Sequence, residues 1–219
     1  MYKAVIFDWD GTLADTREAI LFAFHESLSE IGINVTDEAI ERRIGIGSAE
    51  TFREILNSKN VPYDETLIRN LVIGKIQAEI DMSPQTHLFN GAKELLETLK
   101  NKTKLGLASM NNRQVIDHLL QSTQVKEFFA VTITGDEVTK PKPNPEIFLK
   151  TAQKLQTKPT ECIVLEDSVF GVEAAKAANM ACIAVTQGAY SKAELAKANP
   201  NLIVTSLQEK NAILNQILK

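Results

Sequence analysis

The chain has 219 residues, 28 acidic against 24 basic side chains, a net charge of −4 and an apolar share of 44%. That length admits one large domain or two unequal ones, and the ordinary apolar share supplies a sizeable core and argues against disorder. A mildly acidic chain without a basic stripe argues against nucleic acid as the main partner. No apolar run approaches the roughly 20 residues that span a bilayer, so no membrane role is expected.

The chain opens directly on its first predicted strand, an apolar run from Ala4 through Phe7. No signal peptide is expected ahead of it. The run stops at Asp8-Trp9-Asp10, and Gly11 then lets the backbone turn. Ile20, Phe24, Leu28 and Ile31 form the stripe of an amphipathic helix between Asp15 and Ile31, with Gly32 as a left-handed stop. Further helices are predicted from about Thr36 to Arg43, from Ser48 as N-cap, and over roughly Asp64 to Asp81. Residues 15–82 therefore read as a small helical bundle inserted after the first strand.

From residue 84 the pattern alternates. Helices are predicted from Ala92 to Leu99, near Arg113 to Gln121, from Pro145 to Leu155, from Val169 to Ala178 and after Ser206. Strands are predicted at Lys104–Ala108, Phe128–Ile133, Cys162–Leu165, Ala181–Val185 and Leu202–Val204. Strands alternating with helices give a parallel sheet covered on both faces, a doubly wound α/β fold. Lys-Pro-Lys-Pro-Asn-Pro at 140–145 reads as a rigid loop inside that pattern. Cys162 and Cys182 lie in apolar strand-like runs without metal-ligand spacing, which predicts free buried thiols in a cytoplasmic protein.

In a sheet of this kind ligands bind beyond the carboxyl ends of the strands. The residues there are Asp8 and Asp10, then Ser109, then Glu166 and Asp167, with the loop lysines 140 and 142 within reach. Asp8 and Asp10 are two apart in extended chain and point the same way. Two acids in one crevice call for a cation between them or a proton on one of them. One of the pair could then act as nucleophile and the other as acid/base, with a hard cation such as Mg²⁺ neutralising the site. A hydroxyl and a lysine beside such an ion suit a phosphate. Each residue also has a plainer role: Asp8 to Gly11 as a turn, Ser109 as a helix cap, Glu166-Asp167 at a helix N-terminus, Lys142 in solvent. Their coincidence at successive strand ends favours chemistry.

The ordered set resembles the haloacid dehalogenase superfamily of aspartate-nucleophile phosphohydrolases. The matching motifs are Asp8-Trp9-Asp10-Gly11-Thr12; Ser109 after Leu107-Ala108; Lys142-Pro143-Asn144-Pro145-Glu146-Ile147-Phe148; and Val164-Leu165-Glu166-Asp167-Ser168, running on to Gly171-Val172-Glu173-Ala174-Ala175. The insert resembles the mobile cap of the subgroup that includes phosphoglycolate phosphatases and β-phosphoglucomutase. The resemblance implies a Rossmann-like core of residues 1–14 and 83–219 and a cap of residues 15–82. It implies that Asp8 attacks phosphorus and carries an aspartyl-phosphate, and that Asp10 protonates the leaving oxygen and then deprotonates water. Mg²⁺ would be held by Asp8, Asp167 and the backbone carbonyl of Asp10, with Glu166 directly or through water. Ser109 and Lys142 would bind the phosphoryl oxygens, Lys142 being favoured over Lys140 by its spacing to Pro145-Glu146.

Asp10 counts against dehalogenase chemistry, since a departing alkoxide needs a proton and a halide does not. It counts equally against a non-catalytic binding module, which would lack one of the two acids. β-Phosphoglucomutase has a cap histidine where this chain has an apolar residue near Ile20. It also has an arginine in the cap loop, where Gly45-Ile46-Gly47-Ser48-Ala49 offers none. A phosphatase acting on a small phosphorylated metabolite, such as a sugar phosphate or phosphoglycolate, is expected ahead of a mutase. Arg17, Arg42 and Arg43 either lend charge to the substrate or sit on solvated faces, while Trp9 is expected to pack. His25, His87 and His118 have no partners at ligand spacing and are expected at the surface or in the core.

Overall fold

The computed structural model describes all 219 residues. The first strand, β1 (Ala4–Phe7), lies in the middle of a six-stranded sheet. Four helices follow a two-residue strand, β2 (Ala14–Asp15): α1 (Arg17–Ser29), α2 (Asp37–Glu41), α3 (Ser48–Ser58) and α4 (Glu65–Asp81). The chain then returns through β3 (His87–Leu88), which pairs antiparallel with β2. Next come α5 (Ala92–Leu99), β4 (Lys104–Ser109), α6 (Arg113–Ser122), β5 (Val131–Thr134) and α7 (Glu146–Lys154). The last part runs β6 (Cys162–Glu166), α8 (Val169–Ala177), β7 (Ala181–Val185), α9 (Lys192–Lys197), β8 (Leu202–Val204) and α10 (Lys210–Leu218).

The sheet order is β5-β4-β1-β6-β7-β8, and all five pairings are parallel. The chain builds outward from β1 through β4 to β5, then crosses back to place β6 on the other side of β1. The strand order therefore reverses at β1, and the crevice opens beyond its carboxyl end. The period of two along the strands sends alternate residues to opposite faces. Val5, Phe7, Leu105, Leu107, Ile163 and Leu165 enter one core cluster of 25 buried residues. Ala4, Ile6, Ala108, Cys162, Val164 and Cys182 enter another of 20 on the opposite face. The doubly wound α/β fold follows from this arrangement. Both cysteines are free and buried. No helix is long and apolar enough to cross a membrane.

The helices of residues 17–81 enclose a third core of ten buried side chains, among them Phe24, Leu28, Phe52, Ile55 and Leu71. The Phe24 and Phe52 rings meet at 4.8 Å between centroids, tilted 54° to each other. Asp64 caps α4 by accepting from the Leu67 N–H.

Two local expectations differ. Residues Lys126–Phe128 form a turn of 3₁₀ helix and pairing starts only beyond it, because Phe128 and Phe129 both pack into the first core instead of alternating. Gly47, not Ser48, stands at the N-cap of α3, and the Ser48 hydroxyl donates to Asn112 Oδ1 at 3.1 Å. Helix α9 and the β2–β3 pair were not predicted.

Candidate active site

Beyond β1 the Trp9 carbonyl accepts from the N–H groups of Thr12, Leu13 and Ala14, which coils the loop tightly. Trp9 itself is fully buried in the first core, so it packs as expected. Asp8 and Asp10 sit in the crevice, 5% and 9% exposed. Gly11 holds φ +77°, and it and Gly188 lie so close to the Asp167 carboxylate that a Cβ on either would overlap it. Their lack of side chains leaves a slot for that acid.

The structure brings Asp8, Glu166 and Asp167 together: one carboxylate oxygen from each lies within 4.8 Å of the others. Lys142, with a side chain 0% exposed, reaches in from the proline-rich loop. Its Nζ donates to Asp8 Oδ1 at 2.7 Å and to Glu166 Oε1 at 2.6 Å. Lys140 is exposed. The loop is held rigid by the Glu146 carboxylate, which accepts from the Thr139 and Lys140 N–H groups. Glu166 Oε2 accepts from the N–H groups of Asp167 and Ser168 and from the Ser168 hydroxyl, each at 2.9 Å. Glu166 thus fixes the start of α8 as well as facing Lys142. Asp167 Oδ1 accepts from Thr12 Oγ1 at 3.2 Å.

Asp10 has a separate set of partners. Ser109 Oγ donates to its Oδ2 at 3.1 Å, and Asn111 Nδ2 lies 3.4 Å from its Oδ1. Asn112, not Ser109, precedes α6 as its N-cap.

Three acids share one buried lysine, and the electrostatics reflect it. Burial pushes Asp8 well above the usual carboxylate range; Lys142 opposes this, and Glu166 and Asp10 reinforce it. Burial and the neighbouring Glu166 and Asp8 push Asp167 up in the same way. Asp10 is raised by burial and then by Glu79. Burial also works against the charge on Lys142, but Asp8 and Glu166 outweigh it and hold the lysine above its ordinary value. Such a cradle of oxygen donors, short of positive charge, fits a hard divalent cation.

One measurable consequence concerns Asp167. Its folded carboxyl holds a proton to higher pH than the unfolded one, so ionising it destabilises the fold as pH rises through the raised value. With chelator present, Asp167→Asn should therefore melt several degrees above the parent at pH 8. The gap should close as pH falls toward the ordinary aspartate range. Thermal unfolding across pH measures it, and a gap that widens on acidification would contradict the assigned direction.

The remaining sequence candidates lie apart from this cluster. Arg17 pairs with Glu41; Arg42 bridges to Glu194 at 2.7 Å; Arg43 pairs with Glu54 at 2.9 Å. Of these only Arg43 lines the cleft. His25 meets Asp37 and His118 meets Ser83, each at 2.8 Å, while His87 is exposed.

The structure adds three side chains that the sequence reading missed: Lys75 and Glu79 of α4, and Asn111. Lys75 and Glu79 form a buried ion pair, and Asn111 links both of them to Asp10. Their i, i+4 spacing was visible, but most such pairs lie on solvated faces. Lys75 and Asn111 line the cleft, which leaves about 30 Å³ of free space, roughly two waters, between the helices and the strand ends.

An acid cluster at the switch point of a doubly wound sheet, covered by an inserted helical bundle, defines a hydrolase-like α/β enzyme. The chain belongs to the haloacid dehalogenase-like hydrolase family, whose model matches residues 5–185. It is 33% identical over 192 residues to β-phosphoglucomutase of Bacillus subtilis, covering 85% of this chain and 84% of that one. It is 32% identical over 220 residues to the Arabidopsis thaliana protein SUPPRESSOR OF QUENCHING 1, chloroplastic. That match covers 99% of this chain, which spans only 20% of the plant protein's length. A crystal structure of a hydrolase from Pseudomonas syringae superimposes with a TM-score of 0.91 at 25% identity, covering 98% of this chain and 99% of the other. Curated relatives named as phosphatases are 24–33% identical, and the chain is a haloacid dehalogenase-like enzyme of the phosphatase kind.

Proposed function

We propose that the chain is a Mg²⁺-dependent phosphatase that hydrolyses a phosphomonoester of a small metabolite through an aspartyl-phosphate on Asp8. The observation that carries this is the buried Asp8–Glu166–Asp167 cluster around Lys142, with Asp10 beside it on its own hydrogen bonds.

Asp8, Asp167 and the Asp10 backbone carbonyl would hold the ion. Glu166 would join them directly or through water, its Oε2 already serving α8. The bound ion would supply the positive charge that the cluster lacks and so keep Asp8 ionised beside an anionic substrate.

An Asp8 oxygen attacks phosphorus and the ester P–O bond breaks, while Asp10 gives its proton to the leaving oxygen. Asp10, now ionised, takes a proton from water; that water attacks phosphorus and breaks the bond to Asp8, releasing inorganic phosphate. The raised pKa of Asp10 suits it to arrive protonated. Lys142 and the Ser109 hydroxyl lie beside these acids and would bind the phosphoryl oxygens.

In this proposal residues 15–82 are a cap on a core of residues 1–14 and 83–219, and the cap opens to admit substrate and closes to exclude water. The third hydrophobic core supports that division. A mutase needs free cationic groups to hold a second phosphate. Arg17, Arg42, Arg43 and Lys75 are each already paired with a carboxylate of the protein, which favours hydrolysis. The purified protein should hydrolyse p-nitrophenyl phosphate with Mg²⁺, lose that activity in EDTA and regain it on adding excess Mg²⁺. Equal turnover in EDTA would overturn the metal assignment.

A further inference from the structure

The cap wall of the cleft carries two cations, Lys75 and Arg43, and both bring their own counter-charge. Lys75 is 2% exposed and Glu79 1% exposed, and the two form an ion pair one helical turn apart on α4. Lys75 Nζ also donates to Asn111 Oδ1 at 3.0 Å and stands 5.5 Å from the Phe24 ring centre. Asn111 Nδ2 donates to Glu79 Oε1 at 2.7 Å and lies 3.4 Å from Asp10 Oδ1. The pair therefore stands one side chain away from the group that faces the leaving oxygen. Arg43 is held by Glu54 at 2.9 Å and by the Ala39 carbonyl at 2.6 Å.

This arrangement makes the cap wall nearly neutral. A leaving group that carries a carboxylate or a second phosphate meets no uncommitted cation there, and it meets the Glu79 charge behind Lys75. Bringing like charges together in a site shielded from water is costly. A neutral leaving group rich in hydroxyls meets the opposite situation. Lys75 Nζ, bound to Glu79 and Asn111, has a third N–H to give.

We infer that Glu79, by cancelling the Lys75 charge, makes the site select phosphate monoesters of neutral polyhydroxy compounds over esters whose leaving group is itself anionic. The inference rests on the phosphatase reading and sharpens it to a substrate class. Glu79 is a positioning residue here: it acts on the leaving group through Lys75 and Asn111.

The test compares glycerol 2-phosphate with phosphoglycolate, two esters of similar size with neutral and anionic leaving groups. The full chain with Mg²⁺ should show kcat/KM roughly tenfold or more in favour of glycerol 2-phosphate. Glu79→Gln should shrink that ratio by roughly tenfold, mainly through a lower KM for phosphoglycolate. Simple structural damage would lower both substrates alike and leave the ratio unchanged. A parent enzyme that prefers phosphoglycolate overturns the inference, as does a folded Glu79→Gln protein with the parental ratio. The parental ratio stands by itself if the variant fails to fold. p-Nitrophenyl phosphate turnover in the same preparations separates the two claims. Turnover with the wrong preference removes only the substrate class, and no turnover removes the phosphatase reading.

Discussion

Asp8→Asn is expected to cut phosphatase turnover by roughly three orders of magnitude or more while leaving the protein folded. An amide has nearly the shape of the carboxylate but almost none of its nucleophilicity, so the covalent step is lost. The fold should not suffer. The carbonyl of the introduced amide can still accept from Lys142 Nζ, which donates to Asp8 Oδ1 at 2.7 Å, and the variant relieves crowding among three buried acids. Steady-state kinetics with p-nitrophenyl phosphate and Mg²⁺, alongside a thermal melt, measure both parts. Residual activity within tenfold of the parent would remove Asp8 from the nucleophile's role.

Lys142→Met should damage both stability and catalysis. The lysine has no solvent exposure and bridges Asp8 and Glu166, so its loss leaves the buried acids without a cation. Removing one partner of a buried ion pair costs about 3–5 kcal/mol, and urea unfolding in chelator should show a loss of that order. Added Mg²⁺ should restore part of it, because the ion supplies charge to the same cluster. Activity should fall by roughly a hundredfold or more even with Mg²⁺ present, since a donor to the transferring phosphoryl group is gone. A stability loss below about 1 kcal/mol would show that the acids do not depend on this lysine.

The acid cluster was legible because it lies at strand ends. Buried parallel strands read as apolar runs, and the polar residue that interrupts each run marks the crevice. Asp8, Ser109 and the Glu166-Asp167 pair could be placed that way. Lys142 could not, since its loop has no periodicity; only the motif around it pointed inward. Lys75 and Glu79 were hidden for another reason: local spacing cannot tell a solvated i, i+4 pair from one that distant parts of the chain bury. Phe128-Phe129 looked like strand because both are apolar, yet both serve one face. Helix α9 was readable in principle. Ser191 and Glu194 form a capping box, but the helix of six residues that it opens is too short to show a periodic apolar stripe.

The most direct test of the central claim is to catch the phosphorylated enzyme. Turnover of a phosphate ester is stopped with acid, and the protein is reduced with borohydride and analysed by peptide mass spectrometry. An aspartyl-phosphate is reduced to an alcohol, so the account predicts homoserine at position 8, dependent on substrate and Mg²⁺. Brisk turnover with no reduced residue, or reduction at Asp10 or Asp167 in place of Asp8, would contradict it.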